Sequence, residues 1–413
     1  MVNHEMDRRG FLRGAVATGA LLVAARSLPS RAFAAAPESQ RHFAPVKVAR
    51  NRLIRTVVGL RPFRSEGFRI EAERLGQKLL MHNYGHGGAG VTLSWGTSWL
   101  AVSLARDFFQ TTPGAEMFGK PMPSGRRGVR TRSTNRRFAV LGCGVIGLST
   151  ARLLQQRFQD GAGTVTIYAK DLPPDTTSNI SGALWYPTSS FDPQQVSAKF
   201  TDQFQLACQI SNRLFQDLVG PDYGVRWTDT LELIRNAASL ERELFGGAQL
   251  YPQTEIHRDP KRYFGFPYTR QFSTMMIEPH VYLRALLRDF YTAGGKVVVK
   301  EFKGRQEISR LPEPVIFNCT GLGSRMLFDD QKLIPVRGQL EVLLPQPEVD
   351  YCYISGSGYM FPRQDGIVLG GTFDRDDWSL QSNPEQTTEI LEGHAEIMKQ
   401  SVDSDQWTNP HWI

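Results

Sequence analysis

The chain has 413 residues, 41% of them hydrophobic and 22% charged, the ordinary composition of a soluble globular protein long enough for two domains. Its formal charge of +7 is localised: residues 1–36 carry +3 and residues 110–137 carry +6, leaving −2 for the remainder, which argues against a nucleic-acid-binding body. Cys143, Cys208, Cys319 and Cys352 show neither metal-ligand spacing nor a CxxC pair, so four free thiols and no metal site are expected.

From the N-terminus, Met6–Arg13 presents the twin arginine Arg8-Arg9, followed by Phe11 and Leu12. A short, weakly apolar run from Gly14 to Ala25 precedes two A-x-A cleavage sites, at Ala32–Ala34 and Ala34–Ala36. The segment resembles a bacterial twin-arginine export signal, which implies a periplasmic or extracellular protein with no membrane association after cleavage. Alternation over 45–60 predicts a strand, and 68–83 a strand pair. A glycine-rich turn spans Gly85–Gly90, and a helical period runs from Val91 to Phe109. Residues 110–137 have linker composition. Phe138–Leu141, Val145–Gln156 and Thr164–Tyr168 form a βαβ unit. Residues 188–278 mix polar helices with aromatic strands. A helix over Val281–Ala293, strands over Lys296–Lys300 and Pro314–Phe317, further strands to about Phe373 and a helix over Pro384–Lys399 complete the pattern.

Gly142-Cys143-Gly144-Val145-Ile146-Gly147 lies between strand and helix. Its glycines allow a tight turn, close approach of a pyrophosphate and close helix–strand packing, and the helix N-terminus faces the phosphate. The acidic residue expected after the second strand is displaced: Lys170 comes first, then Asp171, which reads either as a ribose ligand or as a solvated turn residue. Thr176, Thr177 and Ser178, then Gly182-Ala183, read as donors and close backbone for a bulkier cofactor, or as an ordinary turn.

Phe138–Pro187, Val315–Gly321, Ile334–Gln339 and Tyr359–Arg363 with Leu369–Trp378 together resemble the D-amino-acid oxidase family. Gly59-Leu-Arg-Pro62 and His82-Asn-Tyr-Gly-His-Gly-Gly-Ala-Gly-Val-Thr92 resemble the family's two late signatures, here placed ahead of the nucleotide motif. The resemblance implies an α/β fold with circularly permuted segments: a Rossmann-like FAD-binding domain and an α+β substrate domain on a large mixed, mainly antiparallel sheet. The expected divisions are signal 1–36, permuted segment 37–109, basic linker 110–137, FAD domain 138–187 and 279–325, substrate domain 188–278 and 326–399, and tail 400–413.

It further implies FAD as cofactor, with a D-amino acid and molecular oxygen as substrates. Arg61 and Tyr359 would hold the substrate carboxylate, and the Gly88 carbonyl the amine. Gly87, Gly88, Ala89, Gly90, Val91 and Thr92 would face the flavin, and Phe302 and Thr320 would join the cofactor site. Arg64 and Arg69 are read as surface residues, and His82 and His86 as loop packing. No side chain is required as general base, since hydride passes from Cα to the flavin. Aspartate-specific relatives carry arginines where this chain has Cys352 and Phe373, which favours neutral D-amino acids. Glycine- or D-aspartate-oxidase-like activity and a non-catalytic flavin-binding protein are the competing readings.

Overall fold

Apolar runs closed by glycine turns become the strands of two sheets. The computed structural model describes residues 41, 43–111, 136–158, 163–260, 263–356 and 358–399; the segment expected to be an export signal, most of the expected linker and the tail lie outside them. The elements of the first half are β1 (Leu53–Arg64), β2 (Arg69–Leu75), β3 (Lys78–Tyr84), α1 (Gly90–Thr111), β4 (Arg136–Leu141), α2 (Val145–Arg157), β5 (Gly163–Ala169), α3 (Thr177–Ile180) and α4 (Ala198–Gln216). There follow β6 (Val225–Ile234), β7 (Glu255–His257), β8 (Tyr268–Ile277), α5 (Pro279–Thr292), β9 (Lys296–Val299), α6 (Arg305–Ser309), β10 (Val315–Asn318) and α7 (Gly323–Leu327). The last are β11 (Leu333–Leu343), β12 (Tyr351–Ser355), β13 (Gly358–Arg363), β14 (Gly366–Gly370), β15 (Asp374–Arg375) and α8 (Pro384–Lys399).

One sheet has six strands in the order β2-β3-β10-β4-β5-β9. All but β2 run parallel. A parallel sheet needs cover on both faces, and successive residues of its central strands provide for it. Leu79, Met81, Phe138, Val140, Val315 and Phe317 pack into the core with α1, α2 and α5, while Leu80, Ala139, Leu141 and Ile316 pack with Phe302, Ile308 and Phe328. Asn83 Nδ2 donates to Thr150 Oγ1 (3.3 Å), and Ser98 Oγ lies 2.8 Å from the same hydroxyl, pinning α1 to α2.

The other sheet has nine strands along β1-β11-β14-β13-β12-β6-β8-β7, with β15 beside β11. Its pairings are antiparallel except β12 with β6. One face is covered by Ile390, Leu391, Ile397 and Met398 of α8 and by Phe43 and Val46. Val46 N–H points at Met398 Sδ, 3.1 Å away. The segment up to Thr111 therefore supplies an edge strand to this sheet and an interior strand with its helix to the other. The α/β class, with a nucleotide-type parallel sheet beside a large mixed sheet, is as the sequence implied.

Boundaries moved for physical reasons. The first strand begins at Leu53, because Phe43 and Val46 are buried in the α8 core instead of pairing in a ladder. It runs on to Arg64, since an edge strand tolerates Pro62 opposite Pro335. Gly87–Ala89 forms a 3₁₀ turn leading directly into α1. Among the described residues, no helix is long and apolar enough to cross a membrane.

Candidate active site

All five parallel strands end at the same edge of the six-stranded sheet, so the turns that follow them gather there. These are Gly85–Gly90, Cys319–Gly321, Gly142–Gly144, Lys170–Asp171 and Lys300–Phe302, and α1 and α2 both present their N-termini to that edge, the usual place for a dinucleotide. Gly142 has φ +101°, and a Cβ there would lie 2.5 Å from the Cys319 carbonyl; a Cβ on Gly147 would collide with the Gly142 carbonyl. Gly144 ends a strand-to-helix turn with no side-chain cap. This backbone leaves room for phosphate and offers free helix N–H groups, which suits a dinucleotide.

The other expected cofactor residues are distributed unevenly. Ser178 Oγ accepts from Val145 N–H (3.0 Å), so it already satisfies one of those helix amides. Thr176 Oγ1 bonds Asn179 (2.8 Å), with Thr177 opening α3. Gly182 abuts Phe361 and Tyr359, and Ala183 takes φ +61°. Phe302 stands edge-on to Tyr168 (6.0 Å) with Lys300 Nζ over its ring (4.9 Å). Thr320 Oγ1 donates to Asn318 Oδ1 (2.8 Å). Lys170 and Asp171 lie 3.5 Å apart and are largely exposed, so a ribose role for Asp171 has no buried support. In the other turn, Gly87 (φ +56°) presses on Ser189, and Gly88 N–H donates to the Ser189 carbonyl (2.9 Å). Ala89, Val91 and Thr92 are buried around Gly90 at the start of α1.

Arg61 and Tyr359, nearly 300 positions apart in the chain, share a face of the nine-stranded sheet. Tyr359 stands opposite Gly370, Gly370 opposite Leu340, and Leu340 opposite Val57. Opposed residues share a face and so do residues two apart, which places Arg61 with Val57. The Arg61 guanidinium lies over Gly338, and the Tyr359 ring over Gly370, glycines that alone leave space there. Arg61 Nη1 donates to the carbonyls of Arg337 and Thr372, both at 3.3 Å, and Phe373 covers the guanidinium with its ring centroid 5.9 Å away. Among the described residues, no carboxylate pairs with Arg61. The cofactor-side turns reach the same place. Ile180 packs on Gly59, Gly182 on Tyr359, Gly321 near Pro62, and Phe63 bridges to His86. A half-buried guanidinium with only carbonyl partners can therefore receive an anion beside the dinucleotide edge.

Arg64 and Arg69 depart from expectation, while the histidines and cysteines do not. Arg64 is buried, its Nε 3.0 Å from Asp330, because β1 continues past Arg61 into the interior. Arg69 is only partly exposed, bonding Tyr84 Oη (2.9 Å) and Glu71 (2.8 Å). His82 and His86 are fully packed. His82 lies 2.9 Å from Glu73 and His86 is 3.0 Å from Thr97 Oγ1, and burial lowers both to about 3, so they are neutral. All four cysteines are free and buried, with thiols pushed up to about 12 by desolvation. Glu278, His280 and Asp365 converge within 4.8 Å, but Glu278 pairs with Arg226, and Asp365 with Arg363 and Arg55. Those arginines oppose a cation. Sequence reasoning missed Ser178's bond to α2 and the pair Glu232–Arg270, because nothing local marks either.

The fold and the nucleotide turn together are those of a dinucleotide-dependent oxidoreductase. The FAD dependent oxidoreductase family model matches residues 137–412, and the chain belongs to that family; its cofactor is FAD. A D-amino acid oxidase of Dugesia ryukyuensis is 28% identical over 272 residues, covering 63% of this chain and 77% of the relative. A D-amino-acid oxidase of Rubrobacter xylanophilus is 32% identical over 263 residues (62% and 75%), and a D-aspartate oxidase of Homo sapiens 29% over 263 (62% and 74%). Among solved structures, glycine oxidase from Bacillus cereus aligns with a TM-score of 0.48 at 15% identity, covering 63% of this chain and 78% of that one.

Proposed function

We propose that the protein oxidatively deaminates neutral D-amino acids to 2-oxo acids, with ammonia and hydrogen peroxide as the other products. The observation that carries this reading is Arg61: a half-buried guanidinium without a carboxylate partner among the described residues, facing the dinucleotide edge. Its planar fork matches a substrate carboxylate, and the Tyr359 hydroxyl, on the same face, adds a second donor. With the carboxylate anchored there, the Gly88 carbonyl is suited to accept from the amine, so Cα is fixed between two anchors. Bound FAD supplies the hydride acceptor. No side-chain base is invoked.

Position 352 is a buried cysteine against Thr228 and Met276, and position 373 is phenylalanine, so neither side chain supplies a cation to a second substrate carboxylate. This disfavours acidic D-amino acids. The D-amino-acid oxidase relatives support the reaction class.

The order of segments reads as a circular permutation. The family match begins at residue 137, while β3, which precedes it, lies inside the same parallel sheet beside β10, with α1 packed on that sheet. Residues 43–46 and the end of α8 are neighbours, as a former chain connection requires. Export by the twin-arginine route, to the periplasm or beyond, is proposed from Arg8-Arg9, the apolar run after them and the A-x-A sites. Peroxide release across a panel of D- and L-amino acids tests the reaction: neutral D-amino acids should be oxidised and their L-enantiomers not. Turnover of L-enantiomers, or of none, would refute it.

A further inference from the structure

The face that carries Tyr359 continues across three more strands, the last two of which carry an ionic pair. Tyr359 stands opposite Ile354 on β12, Ile354 pairs with Glu232 on β6, and Glu232 stands opposite Arg270 on β8. Paired residues share a face, so the four side chains form one row, with Glu232 two strand spacings, about 10 Å, from Tyr359. The aromatic wall beside them is Tyr186, stacked on Phe272 at 5.8 Å.

The two charges are not equivalent. Arg270 is buried: its Nη1 lies 3.2 Å from Glu232 Oε2 as an ion pair, and its Nη2 donates to the carbonyls of Leu240 (2.6 Å) and Ser239 (3.3 Å). Glu232 is the more open partner, its side chain 18% exposed against 5% for Arg270. Its Oε2 is itself buried and accepts no hydrogen bond among the described residues, so Arg270 meets the charge without filling the lone pairs, and the exposed part of the side chain lies on its other atoms. Burial raises its carboxyl above the usual range, with Arg270 and then Arg242 opposing that shift only in part. A carboxylate in this condition gains from an N–H donor arriving from the pocket.

We propose that Glu232 determines specificity at the far end of the side-chain pocket, accepting from the cationic head of D-arginine or D-lysine. This rests on the oxidase reading above and widens its neutral range. The long methylene stem of such a substrate would lie over Ile354 and Tyr186 while its head reaches the carboxylate.

The test compares kcat/KM for D-arginine and for D-methionine, a neutral straight chain, in wild-type holoenzyme and in Glu232→Gln. D-arginine should be oxidised by the wild type, and the D-arginine to D-methionine ratio should fall at least about ten-fold in the variant, mainly through KM, as loss of a charge-assisted bond implies. Flavin absorbance and Tm are read in parallel, because the variant leaves Arg270 without its counter-ion. Should it fail to fold, Glu232→Asp, which withdraws the same charge by one methylene, should lower the ratio several-fold. Oxidation of D-methionine without D-arginine, or an unchanged ratio, overturns the role of Glu232 alone. No turnover of any D-amino acid overturns the oxidase reading and this inference with it.

Discussion

Arg61→Ala removes a guanidinium that lies over Gly338, covered by Phe373, and whose hydrogen-bond partners among the described residues are two carbonyls at 3.3 Å. Those are long hydrogen bonds, so their loss should cost the fold no more than about 1 kcal/mol. The effect on catalysis should be much larger. Leaving a buried charge unpaired costs about 3–5 kcal/mol, and the half-buried site argues for the lower end. At 1.36 kcal/mol per decade, about 3 kcal/mol is a loss of roughly 10²-fold in kcat/KM. Arg61→Lys keeps the charge but not the fork, and should fall between. The assay is peroxide release with D-alanine or D-methionine, with flavin absorbance and Tm measured on the same samples. A variant within three-fold of wild-type kcat/KM would refute the assignment. So would one that loses activity only because it has lost flavin or unfolded, since Arg61 would then be structural.

Gly147→Ala should abolish flavin binding and destabilise the fold, since its Cβ would collide with the Gly142 carbonyl; a yellow, stable variant would show the turn to be laxer than the structure indicates. His82, His86 and His394 are held neutral by burial, lowered to about 3, 3 and 4. Above pH 6.5 both folded and unfolded chains leave them unprotonated. As pH falls below it, only the unfolded chain takes up protons, so stability should drop by up to roughly 1.4 kcal/mol per unit for each histidine. The urea midpoint should therefore decline between pH 6.5 and 5, above the carboxylate range, and a flat profile would contradict the burial. Replacing Arg8 and Arg9 with lysine should retain flavin-loaded protein inside the cell; unchanged export would remove the basis for the twin-arginine reading.

The sequence made some of this architecture legible because the determinants are local. Gly142–Gly147 between an apolar strand and a helical period predicts the turn directly, and β4, α2 and β5 lie within a residue or two of expectation. The end of β1 was not legible. Arg64 reads as a solvated strand-end residue until Asp330, 266 positions later, is brought against it, and Tyr84 Oη also donates to Asp330 (2.8 Å). The pair Glu232–Arg270 is hidden for the same reason: each residue sits in an alternating strand, and nothing in either strand specifies its partner across the sheet.

Arg61 and Tyr359 lie between these cases. Each could be singled out only through a resemblance, because neither strand pattern distinguishes a ligand from a half-buried side chain. Their relation depends on a chain of registers from β1 through β11 and β14 to β13, and a slip of one residue at any of the three pairings would turn one of them to the α8 face. Gly338 and Gly370 give those registers a consequence. Any side chain at Gly338 would displace the Arg61 guanidinium, and any at Gly370 the Tyr359 ring. Gly370→Ala should therefore impair turnover through Tyr359 without contacting substrate itself. The accompanying change Tyr359→Phe, which keeps the ring but lacks the hydroxyl, separates the two effects. If Gly370→Ala lowers kcat/KM by displacing the hydroxyl, adding it to Tyr359→Phe should cost little more. Full additivity of the two losses would show that Gly370 acts on something other than the tyrosine.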